Sequence, residues 1–548
     1  MTAFQTAHHA LIERAGQTPD RDFLIQPVNG ELRRYTWQQS ADQARRMASA
    51  LHALGLKRGD KVAILAKNSA EWILADLAIA MGGMVSVPIY PTAGADTIAY
   101  IIEHSEASAA FVGKLDEPGV VSAAVPDSLP TIAFPYPIEG CRYRWQTLIE
   151  TNAALEDLHD PQPGEVMTIL YTSGSTGRPK GVVISYGAYC YASKAAAASI
   201  DIVPEDRLFS YLPLAHVTER TCTAGPAIYG GTSCAFTESL KTFGADLRRA
   251  RPTVFISVPR LWVKFQSGVL AQMPHERLQM LLAVPFVGKR VARKIREQLG
   301  FGACRAFGSG SAPISEATLR WFEKLGVGIG EGWGMSETSG LSCTNTPFER
   351  RRIGSIGAPV QGNEMKLSDE GEILLRSPGL FSGYYKQPDL TREVFTEDGY
   401  FRTGDKGEWQ DDIEAFRITG RVKDIFKSAK GKYVVPVPIE SKLSANPLLE
   451  QVCVTGAGLP APVALVVLTE AARQMPKENV EASVKATLLE VNKTLESHER
   501  LGHAIIVREE WTTKNGLLTP TLKVKRDVLE KHYRPLLDRQ DDALVVWE

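Results

Sequence analysis

A twelve-residue polar stretch, Tyr171 to Val182 (YTSGSTGRPKGV), lies between two short apolar runs, Met167 to Leu170 and Val182 to Ile184. Apolar runs of that length read as buried strands, so the stretch is expected to be a loop joining two of them. Gly174 and Gly177 permit backbone angles closed to other residues and let main-chain N–H groups approach an anion. Thr172, Ser173, Ser175 and Thr176 add hydroxyls, and Lys180 adds a positive charge. These donors suit a polyphosphate. The loop is not a Walker P-loop, because Pro179 occupies the second glycine position and Gly181 replaces the magnesium-binding hydroxyl.

The loop sits inside a chain of 548 residues, too long for one ordinary core, so two or more domains are expected. With 44% hydrophobic and 23% charged residues the composition is globular. A net charge of −1 gives no overall attraction to nucleic acid, so anionic ligands need local basic groups. The seven cysteines are scattered without a CxxC pair, which argues against zinc or a disulfide framework and suits a reducing compartment. No basic segment followed by an apolar core opens the chain, and Leu77 to Ile89 is too short for a bilayer. We expect a cytoplasmic monomer or homodimer without a transmembrane segment, with association at a membrane surface left open.

Helical spacing of Ala41, Ala44, Ala48, Leu51 and Leu54 predicts a helix from Thr36 that Gly55 ends. Strands at 62–65, 85–89 and 109–112 alternate with helices, one of them capped near Asn68 or Ser69. The alternation resumes with a helix at 187–199 and strands at 207–211 and 251–258, followed by an amphipathic stretch to Leu299. This is an α/β pattern with parallel sheets covered on both faces. From Gly371 the pieces shorten and become β-rich. The boundary is placed at 421–424, dividing a large domain, 1–420, from a small α+β domain, 425–548.

Six further segments carry polar chemistry. SYLPLAHVTER places His216 after a strand end, and FGSGSAP forms a small-residue turn containing Gly310, Ser311 and Ala312. GWGMSETSG offers Trp333 to stack on a purine, Gly334 and Ser336 beside it, and Glu337 as a hard oxygen ligand. YFRTGDKG places Asp405, whose carboxylate can accept both hydroxyls of a ribose, at the end of a glycine-marked turn. GRVKDIFKSAKG clusters Arg421, Lys423, Lys427 and Lys430, and NGLLTPTLKVKR brings Lys523 and Lys525.

Together these segments resemble, in order, the motifs of the adenylate-forming superfamily, and PLAHVTER, MSETSG and TPTLKVKR are most similar to long-chain and bubblegum-type acyl-CoA synthetases. The resemblance implies a large α/β domain with a β-barrel-like subdomain and a mobile C-terminal domain. It implies that residues 172–180 hold the β- and γ-phosphates and that Gly310, Ser311, Ala312, Trp333, Gly334, Ser336, Asp405 and Arg421 bind the rest of the nucleotide. Glu337 and Thr176 would hold Mg2+, His216 would line the carboxylate site, and Lys423 would be the hinge. Lys427 would serve thioester formation, and Lys523, with Lys525 as the alternative, would be the catalytic lysine. Arg220 stands where some relatives carry an aromatic gate to an acyl tunnel. The expected activity joins a medium- to long-chain fatty acid to CoA through an acyl-adenylate, using ATP. Loading of a carrier protein is the alternative, and a nucleotide-binding regulator without turnover is the non-enzymatic one.

Overall fold

The computed structural model describes residues 4–172, 178–429, 432–519, 523–539 and 543–548. The expected helix is Trp37–Ala53, started by a capping box in which Thr36 and Gln39 satisfy each other's end of the backbone. Gly55, at φ +94°, follows its end. Helix Ala70–Met81 is buried along its whole length, with the Ser69 hydroxyl accepting from the Trp72 N–H at 3.2 Å. A helix buried on every side belongs in an interior, and this one, apolar except for Glu71 and Asp76, packs against Trp37–Ala53 and strands Lys61–Ala66 and Val85–Ile89.

Those two strands lie within an eight-stranded sheet ordered Gly383–Tyr384, Lys180–Ser185, Val166–Thr172, Val85–Ile89, Lys61–Ala66, Ala107–Gly113, Thr131–Ala133, Tyr143–Arg144. From Val166–Thr172 to Tyr143–Arg144 every pairing is parallel. The two strands expected around the Tyr171–Val182 stretch are present and pair antiparallel. Seven residues separate them, and a parallel return needs a crossover of about a dozen or more.

A five-stranded sheet begins with three parallel strands, Val254–Ser257, Ala306–Ser309 and Ile329–Trp333. The barrel-like subdomain takes the form of an antiparallel sheet, Glu364–Leu367, Glu372–Arg376, Phe401–Gln410 and Ala415–Arg421, bridged to the five-stranded sheet region through Gly357 and Phe416. The amphipathic stretch resolves into helices Pro259–Gln272, His275–Ala283 and Val287–Leu299.

The C-terminal part builds its own core around strands Leu449–Thr455, Val463–Leu468, His503–Val507 and Val545–Trp547. Ala464 and Val466 join one apolar cluster, while Val463, Leu465 and Val467 join another. Alternation with period two thus buries both faces of that sheet under helices. All seven cysteines are free thiols.

Candidate active site

The C-terminal ends of two adjacent parallel strands, Ala306–Ser309 and Ile329–Trp333, place the FGSGSAP turn beside Trp333 and Gly334. Crevices beyond the carboxyl ends of parallel strands are where open α/β sheets bind ligands. Ser311 has φ +68°, and a Cβ on Gly334 would come within 1.5 Å of the Gly340 carbonyl, so only glycine fits there. The Trp333 indole N–H donates to Asp405 Oδ2 at 2.8 Å, and Arg421 Nε meets Oδ1 at 2.9 Å. Asp405 lies inside strand Phe401–Gln410, just after Gly404, rather than at the end of a free turn. Each carboxylate oxygen retains a lone pair for a further donor.

Lys523 reaches this group from the small domain. It shares one cleft of about 2730 Å³ with His216, Ser311, Ala312, Trp333, Asp405 and Arg421. Lys525 is not part of the cleft wall. The Thr519 N–H donates to the Lys523 carbonyl at 2.8 Å and the Lys523 N–H to Thr519 Oγ1 at 3.0 Å, which fixes the lysine's backbone. Burial, then the Arg421 guanidinium, lower the Lys523 pKa to about 8 against the pull of Asp405 and Glu337. The ammonium is thus held where its charge lacks full compensation and an incoming anion is favoured.

His216 caps the short helix Val217–Glu219, its Nδ1 accepting from the Thr218 N–H at 3.2 Å. Burial, then Lys523, push its pKa down to about 3. The ring is therefore neutral, and with Nδ1 accepting, the proton resides on Nε2 as a donor. Asn68 pins the loop, donating to Ser210 Oγ at 2.8 Å and the Leu212 carbonyl at 2.6 Å and accepting from the Leu214 N–H at 3.0 Å. Glu219 is buried beside it, its pKa raised to about 8 by desolvation while it accepts from the Tyr211 N–H at 3.0 Å. Arg220 is fully buried, with Nη2 2.7 Å from each Asp76 oxygen and Nη1 donating to Thr168 at 2.8 Å. Its guanidinium also lies over the Trp72 and Tyr189 rings, so the side chain braces the interior.

A second group gathers at Tyr384. Its hydroxyl donates to Glu337 Oε1 at 2.9 Å, and Lys180 Nζ lies 5.5 Å from its ring centroid. Among the described residues only Oε1 of the half-buried Glu337 carboxylate is engaged. One carboxylate fits Mg2+, which takes most of its ligands from water and phosphate oxygens. Ser336 is buried in the turn before Glu337. Ser173, Gly174, Ser175, Thr176 and Gly177 lie outside the described residues, while Thr172 and Lys180 end and begin the flanking strands. Gly310 lines a narrower pocket of about 60 Å³ with Thr218, Cys222, Gly308 and Gly332. Lys427 is exposed, its Nζ 5.6 Å from the Tyr433 ring centroid, and Lys423 is exposed as well; neither lines the cleft.

Sequence reasoning missed several residues here. Tyr384 and Asn68 bear no motif and join the site only through distant pairing. Glu331, on the cleft wall, has its pKa raised to about 8 by burial although the Gly354 N–H donates to it at 2.9 Å. An acid directly before Gly332 and Trp333 was the available signal. Arg260 joins the two domains, Nη2 lying 2.7 Å from Glu450 and 2.8 Å from Glu510.

Comparison with known proteins accords with this arrangement. Residues 11–385 match the family model described as AMP-binding enzyme, and residues 423–540 match the AMP-binding enzyme C-terminal domain. The chain is 31% identical to the long-chain-fatty-acid–CoA ligase FadD15 of Mycobacterium bovis, over 95% of each chain. It is 30% identical to fatty acyl-CoA synthetase A of Dictyostelium discoideum, over 94% of this chain and 87% of that one. The fold superposes on the anthranilate CoA ligase AuaEII in complex with anthranoyl-AMP with a TM-score of 0.82, at 22% identity and covering 98% of each chain. The adenylation domain of a carboxylate reductase from Mycobacterium chelonae gives a TM-score of 0.81 at 24% identity, covering 97% of this chain and 91% of that one. The chain belongs to the AMP-binding enzyme family and is an acid–thiol ligase.

Proposed function

We propose that the chain activates a medium- to long-chain fatty acid with ATP through an acyl-adenylate and then passes the acyl group to CoA, giving acyl-CoA, AMP and pyrophosphate. The observation that carries the reading is Lys523, a small-domain ammonium set in the same cleft as His216, Asp405 and Arg421. A carboxylate and a triphosphate repel each other. Lys523 offsets that repulsion at the α-phosphate, and the Nε2–H of His216 orients the substrate carboxylate. Asp405 accepts from the ribose hydroxyls, and the loop from Thr172 to Lys180 holds the outer phosphates. Glu337 would hold Mg2+, which when bound supplies charge neutralisation between phosphate oxygens.

Once pyrophosphate leaves, the small domain turns about the hinge at 421–424, centred on Lys423, and a thiol attacks the adenylate carbonyl. Lys427 belongs to that second step, and its exposed position off the present cleft wall suits a residue used only after the turn. The long-chain relatives and the apolar cleft wall of Phe243, Leu261, Phe265 and Val269 support an acyl chain. The second reading is an aromatic acid, favoured by the fold neighbour bound to anthranoyl-AMP and by the small glycine-lined pocket. Pyrophosphate release measured over acids of increasing length separates the two, since a preference for benzoates over aliphatic acids overturns the first.

Lys523→Ala tests the division of labour. We expect adenylate formation to fall by about 100-fold or more while thioester formation from supplied acyl-adenylate stays near wild type. Equal loss in both steps would refute the assignment.

A further inference from the structure

The run Met280 to Val287, MLLAVPFV, contains eight successive residues without a polar side chain, yet most of it faces solvent. Phe286 is 79% exposed, Met280 66%, Val284 47% and Val287 41%. Such a run on a surface is a liability unless something covers it. Phe286 also has φ +64°, a conformation that bulky residues avoid, and it joins helix His275–Ala283 to helix Val287–Leu299. The joint is thus built to present an aromatic ring outward.

Charge identifies the occupant. Residues 275–299 hold six basic and two acidic side chains in a protein whose net charge is only −1. Lys289, Arg290, Arg293 and Lys294 are all exposed on the first turns of the second helix, directly after the apolar tip. An apolar tip ringed by cations matches a bilayer surface bearing anionic headgroups, where the rings and methyls enter the acyl boundary and the ammonium and guanidinium groups meet phosphate. The same helix supplies Val291, Lys294, Ile295 and Leu299 to the wall of the catalytic cleft, and Leu240, 84% exposed, lies on that wall too. We propose that the helical hairpin 275–299 is a peripheral membrane-docking element that seats the cleft mouth on an anionic lipid surface. The proposal does not require the substrate to be a fatty acid.

Sedimentation of the full chain with phosphatidylcholine vesicles, with and without phosphatidylglycerol, tests it. The wild type is expected to partition onto the anionic vesicles and to release as salt rises. Met280→Ser combined with Phe286→Ser should lower that partitioning about tenfold or more. Lys289→Glu combined with Arg290→Glu, which leaves the apolar tip intact, should remove the preference for anionic vesicles. Both variants should keep pyrophosphate release with a water-soluble short acid, a readout that fails separately if the catalytic reading is wrong. Equal sedimentation with neutral and anionic vesicles, or either variant partitioning as the wild type, overturns the proposal. So does light scattering that shows a wild-type dimer made monomeric by the serine pair, which would assign the patch to a second copy of the chain.

Discussion

The two walls of the cleft are held by different physics. On the large-domain side the His216 loop rests on buried groups that hydrogen-bond one another: Asn68 ties three points of the loop, and Arg220 meets Asp76 and Thr168 through its Nη atoms. On the other side, Lys523 is delivered by a domain whose ties to the large one include the Arg260 pairs with Glu450 and Glu510 and an exposed Lys514–Glu117 contact. Buried networks fix one geometry, whereas exposed pairs contribute little and are weakened by salt. The proposed mechanism, in which the carboxylate stays in place while the side chain acting on it is exchanged, calls for that asymmetry.

The sharpest way to break the contrast is Arg220→Leu. Removing the guanidinium leaves the Asp76 carboxylate buried without its cation, a loss of about 3–5 kcal/mol. We expect a large fall in the denaturation midpoint, with much of it restored in Arg220→Leu combined with Asp76→Leu, because the second change removes the stranded charge. A single variant as stable as wild type would show that the large-domain wall is not built on this pair.

That pair also marks where reading the sequence stops. Helix Trp37–Ala53 was legible because its spacing, cap and terminal glycine are local, and strand Val85–Ile89 stands where its β-branched run placed it. Trp333 and Asp405 could be anticipated as members of one site, whereas the requirement for glycine at 334 emerges only from its contact with the Gly340 carbonyl. Arg220, by contrast, read as a departure from an aromatic gate, since its partner Asp76 is 144 residues away and nothing local announces it. Tyr384 and Arg260 escaped for the same reason. Two strands around residues 173–179 were legible from their apolar runs, but their antiparallel pairing was left unspecified, although a seven-residue connection is too short for a parallel crossover.

A smaller effect sharpens the comparison by pH. The Lys523 pKa of about 8 lies below its ordinary 10.5, so the ammonium is present below about pH 8 and is lost above it. kcat/KM for adenylate formation should therefore fall about tenfold per pH unit beyond 8, and Lys523→Arg should move that limb upward. The contribution to stability has the opposite sign: between about 8 and 10.5 the unfolded chain binds the proton that the folded chain has released, so this group favours folding more as pH rises. His216, held near 3, adds no ionisation to activity between pH 5 and 8. A profile that keeps its alkaline limb in Lys523→Arg would assign the limb elsewhere.

The least effect belongs to Arg260. Its pairs are about a third exposed, so each contributes about 1 kcal/mol or less, and Arg260→Ala should leave the denaturation midpoint nearly unchanged. The variant acts instead on the orientation of the small domain. If the pairs favour the arrangement that places Lys523 in the cleft, their loss should slow adenylate formation by about fivefold or less. Thioester formation from supplied adenylate should hold or rise, because in the proposed mechanism it follows the small domain's departure from this position. Added salt should reproduce the same shift in the wild type and little of it in the variant, since the charges it screens are already gone. If instead Arg260→Ala slows both steps alike, and salt acts equally on both proteins, the guanidinium is part of a fixed interface and the contrast between the two walls fails at this point.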